Sequence, residues 1–220
     1  MDLFSLRFKV AIAGHSYVKW LHQFILHDNV DLIGKIDTCF GIYKEDVEVE
    51  FHPLPGATLF ELKCKTHAIL KNNPDIMIII IGGNELDRAI AEPCELAREV
   101  YAYGEYLVSK GVKYVSFMQV VERNTNKDFG VRSELYNSRM RAMTRESPWI
   151  RLWDLRRIGL KDLRPDGVHL NNRGNYFLYN GIKSCIRHAI SHIADGTPCI
   201  HDCERIKLRG GKRCRSVKSR

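Results

Sequence analysis

Residues 75–85 read DIMIIIIGGNE, and this stretch decides the fold. Ile76 to Ile81 is an unbroken apolar run of six residues. It is far shorter than the ~20 residues of a membrane span and suits a strand buried on both faces. Gly82-Gly83-Asn84 then stops it abruptly. A strand covered on both faces belongs to a parallel sheet with helices above and below it, so the flanking sequence should alternate helix with strand.

Upstream, Phe8 to Ala13 predicts a buried strand ending in Gly14. Ser16 to His27 follows with Val18, Leu21, Phe24 and Ile25 at helical spacing, and Ser16 suits its N-cap. Ile36 to Tyr43 and Val47 to Phe51 look like strands, HPLPG breaks the pattern, and Leu59 to Leu70 reads as a helix that Asn72-Asn73-Pro74 stops. Downstream, Pro93 to Lys110 predicts a helix with proline in its first turn and Gly111 just past its end. Val112 to Val121 is a strand. Val131 to Glu146 is a helix with Leu135, Met140 and Met143 as core candidates. Trp149 to Leu155 is a last strand, and Asn171 to Ala194 a last helix weakened at Gly174 and Gly181. The expected architecture is a three-layer α/β/α sandwich around a mainly parallel, five-stranded sheet.

The chain has 220 residues, of which 45% are hydrophobic and 27% charged, which fits one globular domain and argues against bulk disorder. Its net charge of +8 is uneven: residues 199–220 hold eight basic against two acidic side chains, leaving +2 for 1–198. The break near Asp195-Gly196-Thr197-Pro198 divides a folded domain, 1–196, from a basic tail, 197–220. That tail reads as a solvated, disordered terminus, with nucleic-acid contact as the alternative. The start MDLFSLRFKV places Arg7 and Lys9 where a secretory signal needs a clean apolar run, which points to an intracellular, cytoplasmic chain or a fragment of a polyprotein. The seven irregularly spaced cysteines suit reduced thiols. Cys199, His201, Cys203 and Cys214 lack the paired C-x2-C spacing of a zinc site.

Ligands of open α/β sheets collect at the carboxyl ends of strands. Those ends supply Gly14-His15-Ser16, then Pro55-Gly56, then Gly83-Asn84-Glu85, and finally Asp166-Gly167-Val168-His169. These are the parts of an acyl-transfer site. A serine hydroxyl needs an adjacent base, which His169 can be, and Asp166 can hold the imidazole tautomer. The Ser16 N–H at a helix start, the Gly56 N–H and the Asn84 side-chain amide can donate to an oxyanion.

Each residue also has a plain structural role open to it. Ser16 can be a cap, Gly56 a turn glycine, Asn84 a turn residue, and Asp166–His169 an Asx-turn. Asp154 is a rival acid; His15 should point away from the serine. Arg123 and Asn124 could line a pocket, with a solvated loop slightly favoured. No dinucleotide or P-loop glycine motif is present.

In order and position, Ser16, Gly56, Asn84 and the Asp166-x-x-His169 pair resemble the blocks of the SGNH, or GDSL-type, hydrolase superfamily, over about residues 9–194. The resemblance implies a flavodoxin-like sandwich and hydrolysis of ester bonds through a serine acyl-enzyme, without metal or organic cofactor. Its substrate would be a small-molecule or polymer-borne ester. The GHSYVKWL opening also resembles SGNH-like domains of some animal retrotransposons. Two positions depart from the pattern: His15 stands where the family usually has Asp, and Glu85 replaces the Asp after the asparagine. Those departures keep open a weakly active or inactive binding module of a retroelement-type assembly, with the basic tail on nucleic acid.

Overall fold

The computed structural model describes residues 7–27, 36–155 and 157–196. Its strands are β1 (Phe8–Gly14), β2 (Val47–Pro53), β3 (Ile76–Ile80), β4 (Tyr114–Met118) and β5 (Ile150–Trp153). Its helices are α1 (Ser16–His27), α2 (Leu59–Leu70), α3 (Gly83–Asp87), α4 (Pro93–Ser109), α5 (Phe129–Thr144) and α6 (Asn172–Asp195), with a 3-10 turn at Leu160–Asp162. The sheet runs β2-β1-β3-β4-β5 and every pairing is parallel.

Alternation along the strands builds two cores. Val10, Ile12, Ile78 and Ile80 face one side and pack with Leu21 and Phe24 of α1 and Ile182 and Ile186 of α6. Ala11, Ala13, Met77 and Ile79 face the other and pack with Leu62 of α2, Val100 of α4 and Met140 of α5. All five residues of β3 are buried, as expected of the central strand. No described helix is long and apolar enough to cross a membrane.

Three expectations need correction. Ile36 to Tyr43 is a series of turns rather than a strand. Asp37 Oδ1 accepts from the N–H groups of Cys39 and Gly41, and Phe40 takes a left-handed φ of 56°. Its ring is fully buried between Phe51 and Tyr179, so the apolar residues of this segment cap a core edge without pairing in the sheet. Leu135 is 51% exposed. The inward face of α5 is instead Phe129, Ser133, Tyr136, Asn137, Met140 and Thr144. Finally, Ser16 is the first residue of α1 rather than its cap; His15 holds the cap position, and its Nδ1 accepts from the Tyr17 N–H at 3.4 Å. Within α6, the Asn171 side chain caps the helix by accepting from Gly174 N–H.

Candidate active site

Three neighbouring strand ends converge. Gly14 pairs level with Pro53 of β2 and Ile80 of β3. The His15 N–H donates to the Ile80 carbonyl at 3.1 Å, and the Leu54 N–H to the Gly14 carbonyl at 2.8 Å. Ser16, the loop through Gly56 and the α3 residue Asn84 therefore leave the sheet side by side. As the first residue of α1, Ser16 presents an N–H that no carbonyl of its own helix can accept.

The fourth segment reaches this rim from the opposite end of the chain. His169 Nε2 lies 3.1 Å from Ser16 Oγ, across 153 positions of sequence. His169 Nδ1 lies 2.7 Å from Asp166 Oδ2. In the neutral imidazole this places the proton on Nδ1 and leaves Nε2 to accept from the serine hydroxyl. The other Asp166 oxygen accepts from the N–H groups of Val168 and His169, each at 2.9 Å. The Asx-turn and the Asp–His pair are thus one structure, and Gly167 allows it with φ 68°. Loss of hydration acts to raise the Asp166 carboxyl. The backbone and imidazole donors of His169 and the Val168 N–H outweigh it and bring it down to about 2.

Asn84 is buried at 9% exposure, with its Nδ2 donating to the Ala57 carbonyl at 2.9 Å. The second hydrogen of that amide is left for another acceptor. Glu85 beside it is also buried, and its Oε1 accepts from the Leu59 N–H at the start of α2. Burial raises this carboxyl. Asn84 and Glu85 together pin the stretch from Ala57 to Leu59, and the longer Glu85 side chain spans that distance. Gly56 takes φ 76°, and a Cβ there would meet nothing within 4 Å.

His15 is buried. Burial, with the charges of Arg123 and His169 adding to it, holds its imidazole well below the ordinary value. It stays neutral, as a cap that accepts from a backbone N–H must. Asp154, the rival acid, is bound to Arg141 at 3.1 Å. Arg123 overturns the solvated-loop expectation: it is 4% exposed and bonded to Asn84 and Asp87. The signal was its place two residues past the apolar pair Val120-Val121, in the loop that follows β4. Two aromatic residues that helical spacing does not single out also reach the site. The Tyr17 hydroxyl donates to the Val168 carbonyl at 2.7 Å, and the Trp20 ring packs edge-on to His169 at 5.8 Å.

No group of three or more potential metal-ligating side chains lies together among the described residues. The expectations for the basic tail, nucleic-acid contact and zinc binding among them, fall on residues outside those described.

No protein-family model and no curated protein matches the chain. Solved structures do. An acetyl xylan esterase, AlAXEase, aligns with TM-score 0.59 at 17% identity, over 81% of this chain and 99% of that one. A carbohydrate esterase family 3 protein from Talaromyces cellulolyticus aligns with TM-score 0.61 at 14% identity, over 84% and 98%. A GDSL-like lipase from Bacteroides thetaiotaomicron aligns with TM-score 0.64 at 15% identity, over 82% and 88%. At these identities the likeness carries the architecture: the chain has the α/β fold of SGNH-type hydrolases.

Proposed function

We propose that the chain is a serine esterase that cleaves ester bonds through an acyl-enzyme. Ser16 Oγ attacks the acyl carbon while His169 Nε2 takes its proton. The imidazolium, held by Asp166, then protonates the leaving alkoxide as the C–O bond breaks. Water attacks the acyl-Ser16 ester with His169 again as base, releasing the acid and restoring the serine. The Ser16 N–H, the Gly56 N–H and the free hydrogen of Asn84 Nδ2 carry the oxyanion roles; removing one such donor typically costs about 10²–10³ in rate.

The observation that supports this most is the unbroken series of contacts from Ser16 Oγ through His169 to Asp166, at 3.1 and 2.7 Å. A structural cap would not need a histidine brought from 153 positions away. The similar structures include an acetyl xylan esterase and an acetyl esterase, which makes a short acyl group the first to test. A fluorophosphonate should label the wild type at Ser16, and Ser16→Ala should lose both labelling and p-nitrophenyl acetate hydrolysis. No labelling of the folded wild type, together with equal turnover by Ser16→Ala, would overturn it.

A further inference from the structure

Given the esterase reading above, on which this rests, we propose that Arg123 is the positioning residue that fixes which end of the Asn84 amide faces the substrate. A side-chain amide has two flips of nearly equal shape, one presenting NH2 and the other a carbonyl. Only the first can serve an oxyanion. Arg123 Nη1 donates to Asn84 Oδ1 at 3.2 Å, while Asn84 Nδ2 donates to the Ala57 carbonyl at 2.9 Å. Flipping the amide would set NH2 against a guanidinium and carbonyl against carbonyl. A guanidinium cannot accept, and it does not lose its charge.

Arg123 is itself held still. Its side chain is 2% exposed and pairs with Asp87 Oδ2 at 3.2 Å. Its guanidinium carbon lies 5.5 Å from the Phe129 ring centre and 5.9 Å from that of Tyr17. Asp87 is fixed in turn by the Thr125 hydroxyl at 2.6 Å. The residue before Asn84 has to be small: a Cβ on Gly83 would stand 2.6 Å from Arg123 Nη2. The same loop reaches the other side of the site. The Asn124 N–H donates to the Gly167 carbonyl at 2.8 Å, inside the turn that carries Asp166 and His169. Residues 123 and 124 thus touch both the amide and the segment that carries the imidazole.

The test is a double-mutant cycle in the full chain, with p-nitrophenyl acetate as substrate. Arg123→Met should lower kcat by about 10–100-fold with KM changed less than about threefold, because the lost interaction acts only as charge develops. Arg123→Lys keeps the charge beside Asp87 but not the fork, so it should fold and lose about three- to tenfold. In an Asn84→Ala background both changes should add less than about twofold. Effects that multiply through instead would make Arg123 merely structural and overturn the proposal. A second readout does not depend on turnover. The Asn84 side-chain 15NH2 group should give one sharp pair of resonances in the wild type and a broadened or averaged pair in Arg123→Lys. An unchanged pair would also overturn it. Should Ser16→Ala prove as active as wild type, the esterase reading fails, and the resonances still decide whether Arg123 holds the amide.

Discussion

The phenol of Tyr17 donates to the main-chain carbonyl of Val168 at 2.7 Å and so ties the helix that begins at Ser16 to the turn that carries His169. The ring is 4% exposed, and its hydroxyl is pushed above its usual range, chiefly by burial. Tyr17→Phe keeps the packing and removes the hydroxyl's bond to the Val168 carbonyl. Urea unfolding should report a loss of about 1–2 kcal/mol, and ester turnover should fall several-fold as the imidazole loosens.

Asp166→Asn should leave the fold intact and nearly abolish turnover. The asparagine carbonyl can still accept from the Val168 and His169 N–H groups, so the turn survives. Its NH2, however, would donate to Nδ1 and move the imidazole proton to Nε2, where it faces Ser16. A drop in kcat of roughly 10²–10⁴ with an unchanged circular-dichroism spectrum is the expected pair of results.

The same carboxyl gives a pH signature. Its value in the folded protein, about 2, lies below the unfolded 3.8, so its contribution to stability is present above 3.8 and lost as pH falls through about 2. The side chain is 47% exposed, so solvent screening keeps that contribution small. Across this window urea melts of the wild type should lose stability more steeply than those of Asp166→Asn. Parallel curves would contradict the assignment.

The fold was legible because periodicity was strong where it mattered. The β3 run, the Ser16–His27 face and the Pro93–Ser109 helix with proline in its first turn needed no tertiary information. The 36–43 segment misled because burial there comes from a turn folded over a core edge, and Ile36, Phe40 and Ile42 look the same in either setting. Helix α5 was mis-phased because polar residues occupy its inner face. Asn137, for one, exchanges bonds with both the N–H and carbonyl of Val120, which no hydrophobic pattern reveals. At the candidate site, Ser16 stands out by its place at a strand end, and Asp166 and His169 by their spacing shortly before the last helix. What Tyr17 and Arg123 hold in place does not show in the sequence, since it depends on partners 151 and 39 residues away.

Two glycines separate strain from collision. Gly56 has φ 76° with open space around it, so Gly56→Ala should cost only backbone strain, about 1 kcal/mol. Gly167 has φ 68°, and a Cβ there would stand 2.5 Å from the Asn124 carbonyl oxygen. Gly167→Ala should therefore cost more, about 2–4 kcal/mol, and reduce turnover as well. Thermal melts of both variants test the order.

Thiol reactivity should divide by burial. Cys64 and Cys94 are exposed; Cys185 is buried, and burial pushes its thiol up to about 12. Iodoacetamide at pH about 8 should modify the first two in the native protein and reach Cys185 only after denaturation, read by peptide mass.

Gly14 marks the limit of what can be redesigned here. A Cβ at that position would stand 2.1 Å from the Ile80 carbonyl oxygen. The backbone next to the serine is therefore main chain against main chain, with no side chain to trim. Variation around Ser16 is left to the loops after β2, β3 and β4, while this backbone contact stays as it is.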